Sequence, residues 1–217
     1  MLAIHDCLAG LARRRPLFHS EADFQLALAW QIQQLLPDAD IRLELPIPGE
    51  TRRYLDIAVQ DGAERVLIEL KYKTRDLEAF ANDELFLLLN QGAQPLGRYD
   101  YLKDIERLES MLAKQVGDCG YAILLSNDHG YWTQAKSHTV DSAFRLHEGS
   151  LMKGVRHWGL NAAPGTTSGH EDPISLRDNY SNRWRDYSRV SEGVGGQFRY
   201  LLHEVRAVDA TTGVEMT

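Results

Sequence analysis

The chain has few of the features that mark disulfide-rich, metal-cysteine or membrane proteins. It holds two cysteines, Cys7 and Cys119, with no CxxC pair, which excludes a disulfide scaffold and a cysteine-rich zinc site. No apolar run approaches the ~20 residues that span a bilayer. The N-terminal apolar stretch contains Asp6 and precedes its arginines, the reverse of a signal peptide. We therefore expect a cytoplasmic protein with no membrane association.

Several common catalytic signatures are also missing. The sequence has no GxSxG nucleophile elbow, no Walker A or GxGxxG phosphate loop, and no HExxH among its eight histidines. Its net charge is −7, from 24 Lys and Arg against 31 Asp and Glu. A chain this acidic does not attract nucleic acid as a whole, so any such contact requires a local cationic patch.

What remains is the composition of an ordinary globular protein. Hydrophobic residues make up 43% and charged residues 25% of the 217 positions, which fits one folded domain. We expect 1–217 to form a single domain, with a core over 20–127. Because the structural signals weaken after residue 128, we treat 128–217 as a C-terminal elaboration of that domain, rich in β-structure.

Hydrophobic periodicity predicts an α/β protein. Ser20 is a helix N-cap, and Pro37 ends the apolar pattern that follows it. The predicted helices cover 2–14, 20–36 and 98–115. The predicted strands cover 41–45, 52–60, 65–72, 121–125, 175–189 and 197–206. Residues 76–97 are ambiguous, since 85–89 fits a strand or a buried helical turn, and Pro95 is expected to break this segment. From residue 20 to 127 the order is α-β-β-β-(β)-α-β.

Three charged residues lie on the second and third strands, around the turn signal Asp61-Gly62. Side chains alternate along a strand, so Glu69 and Lys71 share one face. A two-residue loop would put Asp56 opposite Leu67 and diagonal to Glu69, and a four-residue loop would put it directly opposite Glu69. Either loop brings both carboxylates and the ammonium to one face. The acid-bearing face would stay open to a phosphodiester, with only Tyr54, Ala58 and Leu67 around the acids. The other face would carry the core, with six apolar side chains: Leu55, Ile57, Val59, Val66, Ile68 and Leu70.

These three residues form a chemically complete set for phosphodiester hydrolysis. Two close carboxylates repel and are costly to desolvate. A hard divalent cation offsets that cost, and Mg²⁺ is commonly held by one or two carboxylates and a substrate phosphate. We expect Asp56 and Glu69 to bind Mg²⁺, with Mn²⁺ able to replace it. Lys71 would then orient the attacking water or stabilise charge on phosphorus.

At these positions the sequence resembles the PD-(D/E)xK nuclease superfamily. The resemblance rests on Asp56 in Tyr54-Leu55-Asp56-Ile57, on Glu69-Leu70-Lys71, and on Glu21 in the first predicted turn after Ser20. It implies a restriction-endonuclease-like α-β-β-β-α-β core with a central mixed sheet flanked by helices. It also implies Mg²⁺-dependent cleavage of DNA, less so of RNA, with Glu21 as a further catalytic residue. A homodimer is compatible with the sequence.

Several residues admit two interpretations. Asp56, Glu69 and Lys71 could be exposed, and Glu21 could serve only the helix dipole. Gln25 is expected to be solvated. Lys103 and Arg107 could meet phosphate or pair with Asp100 and Asp104. Read as a strand, 181–189 would put Ser181, Arg183, Arg185 and Arg189 on one face, which could bind nucleic acid or be solvated. The expected substrate contacts are four cations near the strand ends: Arg52, Arg53, Lys73 and Arg75. The alternative function is a catalytically inactive nuclease-fold module that binds nucleic acid or protein.

Overall fold

The computed structural model describes residues 2–47, 49 and 52–207. Its helices are α1 (Ile4–Arg14), α2 (Glu21–Leu35), α3 (Gln94–Ala113) and the single turn α4 (Pro164–Thr167), with a short 3₁₀ turn at Ser142–Phe144. Its strands are β1 (Asp40–Pro46), β2 (Tyr54–Asp61), β3 (Glu64–Lys73), β4 (Leu77–Ala81), β5 (Glu84–Leu88), β6 (Cys119–Ser126), β7 (Leu151–Arg156), β8 (Ile174–Ser181), β9 (Arg185–Arg189) and β10 (Gln197–Arg206). No helix in these ranges is long and apolar enough to cross a membrane.

A mixed six-stranded sheet is the centre of the molecule. Its strand order is β1-β2-β3-β6-β10-β9. All neighbouring pairs are antiparallel except β3 and β6, which are parallel because helix α3 carries the chain back across the sheet between them. The expected α/β class with a flanked central sheet is therefore confirmed. Two of the six strands, β9 and β10, come from the region predicted as an elaboration.

The helices cover both faces of this sheet. One face packs on α1 and α2 in a cluster that we call the α1–α2 core, which includes Ile57, Val66, Ile68, Leu70 and Phe24. The opposite face packs on α3 and on residues 131–184 in the α3 core, which includes Leu55, Ala58, Leu67, Leu102 and Leu124. Both free cysteines, Cys7 and Cys119, are buried in the α1–α2 core.

The face that carries the predicted acids is thus packed, and the expectation of a sparse, open face is wrong. Ala58 and Leu67, expected to surround the acids in the open, are buried in the α3 core. Leu55 also lies in that core, although strand alternation predicted it beside Ile57. The reason is local: β2 separates from β3 beyond Ile57, and Glu44 on β1, next to this point, has φ of 53°.

Two helix starts follow from elementary capping chemistry. The Ser20 hydroxyl accepts a hydrogen bond from the Asp23 amide at 3.1 Å, as predicted for an N-cap. Helix α3 begins at Gln94, earlier than the sequence indicated, with Pro95 in its first turn. Proline is tolerated there because the first-turn amide has no intrahelical partner to lose, so Pro95 starts this helix instead of breaking the segment.

The strand alternative for 85–89 is the observed one, whereas the segment 175–189 differs from its prediction. Residues 77–88 form the hairpin β4–β5, which turns at Asn82 and Asp83, both with positive φ. The single strand predicted over 175–189 is two strands in different sheets, because β8 pairs with β7 and β9 pairs with β10. Ser181 and Arg185 therefore do not belong to one continuous strand face.

Candidate active site

The site is formed where β2 diverges from β3. Their ladder ends at the pair Ile57 and Ile68, so the amides of Leu70 and Tyr72 further along β3 have no partner on β2. Two carboxylates accept them instead. Asp56 Oδ2 lies 2.7 Å from the Leu70 amide nitrogen, and Glu21 Oε2 lies 2.7 Å from that of Tyr72. The predicted acids on α2 and β2 are therefore fixed side by side along β3.

The strand register brings Asp56 to the same face as Glu69. Asp61 pairs with Glu64 and Ala58 with Leu67, and the continuation of this register puts Asp56 opposite Glu69. This matches the four-residue alternative, although pairing of Asp61 with Glu64 shortens the turn itself to Gly62 and Ala63, with Gly62 at φ of 57°. The Glu69 and Lys71 side chains contact α3, and the Asp56 carboxylate lies beside both of them.

Helix α3 adds two charged residues to this group. Lys71 Nζ lies 2.9 Å from Asp104 Oδ2, and Glu69 Oε1 lies 2.5 Å from Arg107 Nη1. The second guanidinium nitrogen of Arg107 lies 3.2 Å from Asp104 Oδ1. Glu69 is 1% exposed and the Asp104 side chain 3%. The network is thus buried between strand and helix, and the interpretation of these residues as exposed charges is wrong.

Burial raises the pKa of both strand carboxyls. Desolvation brings the pKa of Asp56 to about 6, although Lys71 and the Leu70 amide lower it. Desolvation and the negative charge of Asp104 hold the pKa of Glu69 well above its ordinary value, despite Arg107. Burial alone would lower the pKa of Lys71, but attraction to Asp104, Glu21 and Asp56 raises it above the ordinary value. Lys71 is therefore an ammonium at neutral pH.

Gln25 is part of the support of this site, contrary to the expectation that it is solvated. It is 8% exposed and donates to Glu44 Oε1 at 2.9 Å and to the Asp56 carbonyl oxygen at 2.7 Å. It lies one helical turn after Glu21, so the same face of α2 holds both the Glu21 carboxylate and the Gln25 amide against β2 and β3.

A cleft of about 430 Å³ opens beside the network, between the start of β2, helix α3 and the segment 169–172. Tyr99 donates a hydrogen bond to the Asp172 carbonyl and His170 contacts Asp100 at 3.0 Å, which fixes that segment to α3. The lining residues are Arg53, Tyr54, Lys71, Tyr99, Asp100, Lys103, Asp104, Arg107, Gly169, His170 and Asp172.

The four cations predicted as substrate contacts are divided by the structure. Arg53 lines the cleft with Lys71. Arg52 is exposed, with φ of 58°. Lys73 lies at the far end of β3, near Gly97 in the first turns of α3. The guanidinium of Arg75 lies 3.5 Å from His129 Nδ1 beyond the end of β6. Neither Lys73 nor Arg75 lines the cleft.

The donor set suits a hard cation in its chemistry. Asp56 and Glu69 provide carboxylate oxygens on one face, and oxygen ligands are what Mg²⁺ and Mn²⁺ prefer. Within residues 2–47, 49 and 52–207, no group of three or more His, Cys, Asp or Glu side chains is arranged to hold a metal ion. A site here would therefore use two carboxylates, with water and substrate oxygens in the remaining positions.

Sequence reasoning did not identify Asp104 and Arg107 as members of the site. For Arg107 it offered two alternatives, a phosphate contact or an ion pair with Asp104. The ion pair with Asp104 is present. The contact of Arg107 with Glu69 was not predicted. The available signal was their i, i+3 spacing beside the apolar positions Leu102 and Ile105 of α3. Comparison of the chain with protein-family models, with curated proteins and with solved structures finds no match.

Proposed function

We propose that this protein is a divalent-cation-dependent nuclease that hydrolyses phosphodiester bonds of DNA in the cytoplasm, with a restriction-endonuclease-like core. The observation that carries the proposal is the convergence of Asp56, Glu69 and Lys71 on one face at the point where β2 leaves β3. The Glu21 carboxylate on the next β3 amide adds a fourth member of the resembled motif. These residues lie beside a cleft lined by Arg53, Lys71 and Lys103.

Each residue has a distinct role in this proposal. Asp56 and Glu69 would hold Mg²⁺, which when bound polarises the phosphodiester and generates a nucleophilic water. Lys71, an ammonium whose charge Asp104 maintains, stabilises negative charge on phosphorus in the transition state. Glu21 fixes the β3 backbone beside Lys71 through the Tyr72 amide. Among the four cations predicted from the sequence, Arg53 is the proposed substrate contact, because it lines the cleft with Lys71.

The decisive experiment is cleavage by the purified protein. Plasmid, linear duplex, single-stranded DNA and single-stranded RNA are each incubated with Mg²⁺, Mn²⁺ or EDTA. We expect metal-dependent DNA cleavage, and a rise in the thermal midpoint on addition of Mn²⁺, because a ligand of the native state stabilises it. Asp56→Asn keeps the side-chain shape and removes the charge, so it should abolish both effects. Asp61→Asn, on the same strand beside the turn, is the matched control.

A second experiment concerns the DNA contact. Arg53→Ala should weaken DNA binding and reduce the slope of log affinity against log salt by about one, because one fewer phosphate contact releases fewer counterions. Lys73→Ala, which removes a cation outside the cleft, should leave the slope unchanged. A loss of slope in Lys73→Ala alone would move the DNA path to the far end of β3.

Two observations favour the non-catalytic alternative. The ion pairs of Glu69 with Arg107 and of Lys71 with Asp104 already neutralise the two residues of the Glu-x-Lys motif, and the net charge of −7 suits a protein partner better than DNA. If no substrate is cleaved with either metal and Mn²⁺ does not change the thermal midpoint, the protein is a binding module built on this fold.

A further inference from the structure

Arg107 holds an unusual position for a cation in a site that would bind a metal. Its Nη1 lies 2.5 Å from Glu69 Oε1, and its Nη2 lies 3.2 Å from Asp104 Oδ1. One guanidinium thus bridges a carboxylate of β3 and a carboxylate of α3. Both carboxylates are almost completely buried, so little water is available to replace Arg107 as their neutralising partner.

The charged residues around Arg107 include more acids than cations. Four acids converge here, namely Glu21, Asp56, Glu69 and Asp104, against the two cations Lys71 and Arg107. We infer that Arg107 is a built-in counter-ion of Glu69 that a divalent cation has to displace from this carboxylate. The inference rests on the proposed function, because that function assigns Glu69 to the metal.

The surroundings of Arg107 allow such a displacement. Its side chain is 14% exposed and lines the cleft, so the guanidinium can withdraw toward the cleft while α3 stays fixed. Asp104, three residues earlier on the helix, remains within reach of it. A displaced Arg107 then faces the cleft with Lys103 and Arg53, where its charge is available to a phosphate. Metal binding and phosphate binding would favour each other through this one side chain.

The test is the affinity for Mn²⁺ alone, measured by titration calorimetry at about pH 8 so that the carboxyls compete less with protons. Arg107→Gln should bind Mn²⁺ at least about tenfold more tightly than the wild-type protein, because the competing positive charge is gone. It should also lower the thermal midpoint without metal, because Glu69 loses its partner. Lys114→Gln, which removes an exposed charge at the C-terminal end of the same helix and outside the cleft, should change neither quantity.

The outcomes separate this inference from the proposed function. Equal or weaker Mn²⁺ binding by Arg107→Gln overturns the inference, whereas wild-type binding and cleavage would leave the nuclease proposal intact. Absence of binding in both proteins and of all cleavage overturns both. If Arg107→Gln is unfolded without metal, Arg107→Lys carries the test: a lysine makes a single contact, so Mn²⁺ should bind about threefold more tightly, and equal affinity would contradict the inference.

Discussion

The two faces of the central sheet are built on different principles. The α1–α2 core contains apolar side chains, with Tyr72 as one of its few polar members. On the opposite face, every buried charged residue among those the structure describes either lies on α3 or contacts a residue of α3. These residues are Glu69, Arg98, Asp104, Glu109, Asp128 and Asp141.

The two faces therefore contribute differently to the free energy of unfolding. Buried apolar area stabilises the fold in proportion to its extent. Buried ion pairs contribute little net stability, because desolvation offsets their attraction. The ion pairs around Glu69 and Lys71 are therefore not explained by a contribution to stability. Four experiments test that conclusion, in decreasing order of the predicted change.

The first experiment compares the cleavage rates of two lysine variants, one inside the charged network and one outside it. Lys71→Ala should lower the cleavage rate by about 10²–10³-fold, the loss typical of a preorganised stabiliser of transition-state charge. It should still bind Mn²⁺, because the proposed ligands remain. Rates on linear DNA with saturating Mg²⁺ measure this effect, and Lys73→Ala, two residues along the same strand face, should retain the wild-type rate. Full activity of Lys71→Ala would demote it to a structural residue.

The second removes apolar volume from the opposite face. Ile68 is 0% exposed in the α1–α2 core, so Ile68→Ala should lower the free energy of unfolding by about 3 kcal/mol through lost transfer energy and a residual cavity. Urea unfolding followed by tryptophan fluorescence measures this change. The cleavage rate of the folded variant should stay close to wild type. A large loss of cleavage rate under conditions where the variant is fully folded would show that the apolar face also affects the reaction.

The third experiment measures how the free energy of unfolding depends on pH through His203, a buried residue on the α3 side of the sheet. His203 lies on β10, with Nδ1 2.9 Å from the Tyr101 hydroxyl and Nε2 3.3 Å from the Ser181 carbonyl oxygen. Burial lowers its pKa to about 4, against the opposing effect of Ser181. Between pH 6.5, the ordinary pKa of histidine, and pH 4, His203 binds a proton in the unfolded chain but not in the native protein. The free energy of unfolding should therefore fall by about 3 kcal/mol between pH 6.5 and 4.

The control for this titration is His203→Gln, which keeps a donor for Ser181 and cannot be charged. The raised pKa of Asp56 acts in the opposite direction, since a carboxyl that gains a proton first in the native state stabilises it as the pH falls. The informative quantity is therefore the difference between the wild-type and variant curves. If that difference is flat from pH 7 to pH 4, His203 does not titrate as its burial requires.

The fourth predicts the smallest change. Lys71→Met alone leaves Asp104 with Arg107 as its remaining partner, and should cost about 2 kcal/mol of stability. The double replacement Lys71→Met with Asp104→Leu should return to within about 1 kcal/mol of the wild-type protein, because both charges are removed together. Urea unfolding of the two single variants and the double variant measures the coupling. Additive losses would show that Lys71 and Asp104 are not energetically coupled, and would contradict this expectation.

Local sequence signals accounted for most of the elements and for the acids of the strands. The turn signal at Asp61-Gly62 located the hairpin, and either even loop brought Asp56 and Glu69 to one face, although the turn itself lies at Gly62 and Ala63. Periodicity could not show that α3 would cover this face. The contacts of Arg107 with Glu69 and of Asp104 with Lys71 join residues more than 30 positions apart, and helix packing across a sheet decides them. Gln25 was misjudged for the same reason.

The strand order of the central sheet has a consequence for how the chain folds. Strand β6, Cys119–Ser126, is buried at every position and lies between β3 and β10. Before β10 is synthesised, one edge of this apolar strand has no partner, and such an edge readily pairs with other chains. The long sequence separations across β3, β6 and β10 also make folding slow. Aggregation during synthesis or refolding should therefore be set by how quickly residues 197–206 dock onto β6.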